Sequence, residues 1–340
     1  LKAKTASAVL LILLFLAAAA CRPASAAGPI TLRYANFPPA STFPCVQMER
    51  WAKEVEKRTR GKAKVQTFPG GTLLGAKNIF DGVVSGIADI GNFAMSYQPG
   101  RFPVSEAVDL PVGFTSARQA SLTLFDLVEK YQPKEFSTVK VLTLFTCPPT
   151  QFMTKTPVKS LADLKGMELR VAGTNAEVVK RLGAIPVAMP QSDTPEAIQK
   201  GVVKGMVSSM EILKDFKFAA YTPHATVANL PVVSFAVVMN RAKWDSLPPD
   251  VREVIEKMRR EQAEWTGKYV DDHVTEALAW SKKNHNHQLH ELSAADHGTI
   301  DGLLKPMTDD YVRRTSALGL PGDKIVADVQ ALKKKHAKAR

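Results

Sequence analysis

The chain of 340 residues predicts an α/β protein whose two lobes face a cleft and are braced by one long C-terminal helix. Three observations carry this. The length exceeds what one core usually sustains, because cores stop growing near about 250–300 residues. From Ile30 onward, strand-like and helix-like segments alternate in two successive sets. After Pro249, apolar residues recur at helical spacing over a stretch much longer than a typical globular helix.

The first set opens with the strand "ITLRYANF", a Pro-rich loop "PPASTFP" and a helix "CVQMERWAKEVEKRT" that Gly61 stops. The strand "KAKVQTF", the punctuation "PGG", a helix around "AKNIFDGVVSG" and a short buried strand "IADIGNFA" follow. Strand and helix in strict alternation imply a parallel sheet covered by helices. The second set begins with the strand "KVLTLFTC" and the short helix "SLADLKG", with Ser160 as N-cap and Gly166 as stop.

In "MELRVAG", Met167, Leu169 and Val171 alternate with Glu168 and Arg170, the period of a half-buried strand. Arg170 therefore faces water, paired with Glu168, or faces something that needs it. Next come a helix "TNAEVVKRLG", a strand "IPVAMP", a helix "DTPEAIQKGVVKG" opened by Pro195, and the strands "MVSSMEI" and "PVVSFAVVMNR". The long run then places Val251, Ile255, Met258, Trp265, Val270, Val274 and Leu278 on one helical stripe that reaches both lobes. Helices around 293–306 and 323–337 close the chain.

Leu1–Ala27 has a basic start (Lys2, Lys4), the apolar run "AVLLILLFLAAAA" and the exit "RPASAAG", with Ala24-Ser25-Ala26 as an A-x-A cleavage site. That is a secretory signal, and the expectation is an exported soluble protein in the periplasm. The alternative is a lipoprotein signal ending at Cys21, although Ala18-Ala19-Ala20 lacks the usual Leu.

Three of the twelve net positive charges belong to Lys2, Lys4 and Arg22. The rest lie on helices where acids interleave ("KEVEKRTRGKAK", "EKMRREQAE") and in the tail "KKKHAKAR". Solvated helix faces explain that pattern, and a nucleic-acid partner is not expected. Cys45 and Cys147 survive cleavage, and an export compartment permits one disulfide between them. The Cα–Cα distance that decides it is not in the sequence.

Catalytic constellations are missing. "GGTLLGAK" follows a strand and precedes a helix as a phosphate loop should, but Lys77 is one place late and Asn78 stands where Ser or Thr must hold magnesium. The cluster "NHNHQLH" offers His285, His287 and His290, with His297 on the next helix, yet has no carboxylate or Cys at a zinc-ligand spacing. A solvated connection explains it. No catalytic residue, metal or cofactor is expected.

The strings "LRYANFPPAST", "WAKEVEKRTRGKAKVQTFPGGTLLG", "GVVSGIADIG", "LPVGF", "VKSLADLKGMELRV", "LGAIPVAMP", "AIQKGVVKG" and "NRAKWDSLPPDVREVI" run in this order from about Ile30 to Lys335. Together they resemble the periplasmic solute-binding subunits of tripartite ATP-independent periplasmic (TRAP) transporters. The resemblance implies a clamshell with residues 28–147 and 235–270 in lobe I and 148–234 and 271–340 in lobe II. It also implies a monomer that captures a solute and docks on membrane permease subunits for ion-gradient-driven uptake, without being an enzyme.

On this resemblance "DLKGMELRV" places Arg170 where the family holds its ligand carboxylate. A guanidinium offers a planar fork matched to that group. Departures from the family pattern speak about the ligand. Thr150 stands where binders of highly polar acids carry a second Arg, Lys204-Gly205-Met206-Val207-Ser208 replaces an Asp-Gly-x-Glu-Asn region, and Pro195 replaces a Tyr. Fewer polar groups leave less to compensate a second ligand charge.

The expected site is Arg170 with Thr150, Gln151, Phe152, Phe37, Phe43, Asn92, Phe93, Tyr97, Met189, Ser208 and Met210. Its expected ligand is an aromatic or apolar monocarboxylate, such as an aryl, 2-oxo or amino-acid-like acid. Taken singly, each aromatic or Met is as well explained by core packing. Two alternatives remain: a ligand-presenting module for a sensor kinase, and a metal-dependent periplasmic enzyme built on the His cluster.

Overall fold

The computed structural model describes residues 28–337. The expected signal segment and the Cys21 anchor lie outside the described residues. In chain order, β1 (Ile30–Asn36), α1 (Phe43–Arg58), β2 (Ala63–Phe68), α2 (Ile79–Val84) and β3 (Ile90–Ala94) alternate as the sequence predicts. A helix α3 (Ala117–Tyr131) then leads into β4 (Val139–Thr146). After three connecting residues, β5 (Thr150–Thr154) starts a second sheet.

That sheet continues with β6 (Glu168–Val171), α4 (Asn175–Arg181), β7 (Ile185–Ala188), α5 (Thr194–Gln199), β8 (Gly205–Ser208), the single turn α6 (Ile212–Asp215) and β9 (His224–Leu230). The chain then returns to the first sheet as β10 (Ser234–Asn240). The remainder is α7 (Arg241–Ser246), α8 (Pro249–His285), β11 (Gln288–Glu291), α9 (Ala294–Leu304), α10 (Pro306–Ala317) and α11 (Gly322–Ala337).

The strand orders are β2-β1-β3-β10-β4 and β11-β9-β5-β8-β6-β7. β1, β2 and β3 are parallel, as the strand–helix alternation requires, whereas β10 runs antiparallel between β3 and β4. The first sheet is buried around Leu32, Tyr34, Trp51, Phe93 and Phe145. The second has a core on each face, and the pleat sorts them: Phe152 packs on one side and its neighbour Met153 on the other.

The chain passes between the sheets through residues 147–149 and 231–233, which lie side by side. Cys147 N–H donates to Val233 O at 3.0 Å, and Val233 N–H donates to Cys147 Sγ at 3.2 Å. Both thiols are free: Cys45 Sγ donates to Pro38 O at 3.2 Å, and the disulfide that the count permits is not formed. Thr150 Oγ1 and Asn175 Nδ2 both donate to Pro231 O, tying the second lobe to the returning crossover.

The long helix is one element of 37 residues, opened by Pro249 in its first turn and ended by Asn286 in the left-handed conformation. Val251, Ile255, Met258, Ala263 and Val270 join the first-lobe core, and Leu278 and Trp280 pack against the second. Where it crosses α3, Gly267 leaves room for the backbone of Arg118, which a Cβ would meet at 2.5 Å. One turn on, the Asp271 carboxylate accepts from the N–H groups of Ala117 and Arg118, capping α3.

The end of the chain departs from the expected grouping of 271–340 with lobe II. Ile325 and Val329 of α11 and Tyr311 of α10 are buried in the first-lobe core, and Tyr311 Oη donates to Pro103 O at 2.9 Å. The chain thus crosses back once more after α9. Among the described residues no helix is long and apolar enough to cross a membrane.

Gly267→Ala tests the close crossing. Helix propensity alone favours Ala by about 1 kcal/mol, but the clash with backbone predicts a net loss of about 1–3 kcal/mol, read as a lower Tm. A stabilised variant would show that the two helices do not meet there.

Candidate functional site

Arg170 lies near the C-terminal end of β6, held in register between Val187 of β7 and Met206 of β8. It is 2 % exposed, so it does not face water. Alternation hid this because Leu169 and Val171 on the opposite face are buried too. Its Nε and Nη2 donate to Met189 O at 3.0 and 2.8 Å, Nη1 donates to Gln191 Oε1, and Nη2 also reaches Tyr97 Oη at 3.3 Å. These partners are all neutral. Burial accordingly pulls the guanidinium below its ordinary pKa.

Around it is a cavity between the lobes. Of the residues expected there, Arg170, Phe37, Phe43, Tyr97 and Ser208 line it. Phe43 meets Phe235 edge to face at 5.9 Å, and Phe37 meets Tyr97 at 5.5 Å, so the first-lobe wall is aromatic. Tyr97 Oη also accepts from Gln191 N–H at 3.0 Å, a direct bond from the first lobe to the second.

The other expected residues do different work. Met189 supplies its carbonyl to Arg170, while its side chain and that of Met210 pack on the second-lobe core. Phe93 packs against Phe80 and Phe102, and Phe152 is fully buried in the core. Thr150 is buried and bonded to Pro231 O, and Gln151 Oε1 accepts from the N–H groups of Ala228 and Asn229. Asn92 donates to Asn36 Oδ1 inside the first sheet. Phe93, Phe152, Thr150, Gln151 and Asn92 are framework, on strands where side-chain type alone does not separate core from cavity.

Sequence reasoning missed Gln191, Cys147, Glu211, Asp215, Phe216 and Phe235, which also line the cavity. The available signal was Glu211, an acid inside "SSMEIL". It is 1 % exposed, and burial raises its carboxyl to about 7. Asp215 Oδ1 receives His273 Nε2 at 2.7 Å, and that bond raises the imidazole above its ordinary pKa.

Among the described residues no group of three or more His, Cys, Asp or Glu is arranged to hold a metal. In the His cluster, His290 Nε2 meets His224 Nδ1 at 3.1 Å where the edge strand β11 pairs with β9.

An interlobe cavity at the carboxyl end of strands, lined by a buried cation, is the geometry of a two-lobe solute-binding protein. The chain belongs to the bacterial extracellular solute-binding proteins of family 7 (DctP), which it matches over residues 34–315. It is therefore a TRAP solute-binding protein and not an enzyme.

A TRAP periplasmic solute-binding protein from Desulfovibrio salexigens DSM2638 is 52% identical, with a TM-score of 0.83 over 92% of this chain and 98% of that one. That protein was crystallised open, with the C-terminus of a symmetry mate in its ligand-binding site. A marine-metagenome TRAP protein specific for aromatic acid ligands, in complex with 3-hydroxybenzoate, is 29% identical with a TM-score of 0.87 over 92% of this chain and 100% of that one. The C4-dicarboxylate-binding periplasmic protein of Rhodobacter capsulatus is 29% identical over 164 residues, 48% of this chain and 49% of that protein. The chain thus spans about half the length of that curated relative.

Glu211 sets a pH dependence. Unfolded, its carboxyl ionises near 4.5, and folded it ionises near 7, so folding takes up a proton between the two. Stability then falls as pH rises through that window. His273 adds a loss of the same sign above 6.5, because its folded pKa is the higher one. The decline in Tm between about pH 5 and about pH 7 should be shallower in Glu211→Gln than in the parent protein; equal slopes would rule out a buried ionisable Glu211.

Proposed function

We propose that this protein captures a small organic carboxylate in the periplasm, closes its lobes around it and delivers it to a TRAP permease for ion-gradient-driven uptake. The observation that carries this reading is Arg170, a buried guanidinium whose hydrogen-bond partners are all neutral. A buried charge without a counter-charge is costly, and an incoming carboxylate removes that cost. The bond to Tyr97 Oη is the longest of the four and the one a carboxylate would displace most readily.

An aromatic or apolar monocarboxylate fits the remaining wall. Phe37, Phe43, Phe216 and Phe235 surround the cation, and no second cation lines the cavity. Ring edges and faces at these distances favour flat apolar bodies. The aromatic acid in the marine-metagenome relative and the chain terminus in the Desulfovibrio protein's site support a carboxylate at this position. Closure excludes water and strengthens the ion pair, and a protein that must close around its solute works as a monomer.

The test is thermal unfolding of the mature protein against a panel of small carboxylates, with Arg170→Ala in parallel. A ligand of the native state raises Tm with occupancy. Truncating one partner of a buried charge pair costs about 2–5 kcal/mol, so the variant should bind roughly 30-fold more weakly or worse. Binding restricted to sugar acids or C4-dicarboxylates would overturn the apolar assignment, and binding indifferent to Arg170 would overturn the site.

A further inference from the structure

The cavity that holds the arginine also carries two acids that the capture reading does not use. Glu211 Oε1 accepts from Ser209 Oγ at 2.6 Å, but its Oε2 is buried with no hydrogen-bond partner. Asp215, whose side chain is 3% exposed, spends Oδ1 on His273 and also leaves Oδ2 buried and unpartnered. Both residues line the cavity around Arg170.

Neither acid is among the hydrogen-bond partners of Arg170, which are Met189 O, Gln191 Oε1 and Tyr97 Oη. Glu211 is bonded to Ser209 and Asp215 to His273 instead. Nearby, Ile212, Val233, Phe216 and Phe235 offer no donor.

We propose that Glu211, with Asp215 beside it, is a second anchor of this cavity, and that the ligand carries a hydroxyl or N–H donor at the end remote from its carboxylate. The inference rests on capture of a carboxylate by Arg170 and adds the chemistry of the other end. A wall of buried acceptors left unpaired by a plain apolar acid discriminates against it, because the unmet hydrogen bond is lost in that complex and made in the other. The phenyl rings that line the same cavity suit a ligand whose body between its polar groups is apolar. The 3-hydroxybenzoate bound by the marine-metagenome relative has this arrangement of groups.

Calorimetric titration of the mature protein with benzoate, meta-hydroxybenzoate and meta-aminobenzoate, and with pentanoate and γ-hydroxypentanoate, tests this. The donor-bearing member of a series should bind at least tenfold more tightly than its parent acid, and the hydroxyl and amine arms show which donor is preferred. In Glu211→Leu, with folding checked by Tm, that preference should fall below twofold, because the donor-bearing acid loses its acceptor and the parent acid no longer leaves one unpaired. Glu211→Gln, which keeps the shape, should weaken the preference without weakening the parent acid.

Arg170-dependent binding with no preference between members, or a preference that survives Glu211→Leu, overturns the second anchor and leaves carboxylate capture standing. Failure of every one of these acids to bind overturns both.

Discussion

Everything in the cleft is arranged around a guanidinium taken out of water without a carboxylate to meet it. Arg170 is tolerable there because Met189 O accepts twice, Gln191 Oε1 once and Tyr97 Oη once. Hydrogen bonds to neutral acceptors offset part of the desolvation cost of a charge but not all of it. The remainder is a standing preference for an anion. Because Tyr97 comes from the first lobe and also receives Gln191 N–H, the same few atoms that hold the cation sense whether the lobes are together. In the proposed capture, that contact would couple ligand binding to closure.

A clamshell needs stiff lobes and few connections. Each lobe here has its own sheet, and the two crossovers are short and bonded to one another through Cys147 and Val233. Besides the later return through α10, the remaining connection is α8. Its first half is fixed to the first lobe through Arg259, whose carbonyl accepts from Thr143 Oγ1 of β4, and its second half through His273 to Asp215. Asp215 is also a cavity residue, so the brace has one foot in the wall of the site. Movement of the second lobe relative to α8 would move Asp215 and Glu211 with it.

The alternating strands and helices, the long helix and the strand that carries Arg170 were legible because each depends on local periodicity. The helix over 117–131 and the strand over 224–230 were not read, and neither was the split of the C-terminal region into three helices. Their faces are buried by partners far away in sequence. Site residues divided differently: Arg170 was placed in the site by the family resemblance, since alternation left it facing water or a ligand, while Phe93 and Phe152 carry the same chemistry as Phe37 and Phe43 but sit inside strands rather than in the loop and helix start that reach the cavity. Glu211 escaped notice because "MVSSMEI" reads as one strand, whereas β8 ends at Ser208 and the chain turns the acid inward just before α6.

Size alone would have chosen a different site. A cavity of about 540 Å³ opens between the lobes, lined by Ser96, Glu106, Asp109, Glu177 and Arg314 among others. Its cation is already paired, since Arg314 Nη2 meets Glu106 Oε1 at 2.6 Å. Asp109 is buried there with Ser234 Oγ donating to it at 2.5 Å, and burial raises its carboxyl to about 8. With its arginine already paired, that space has nothing to draw a carboxylate in. The Arg170 cavity is smaller but holds a buried guanidinium whose hydrogen-bond partners are all neutral, and that is what makes it a place for an anion to go.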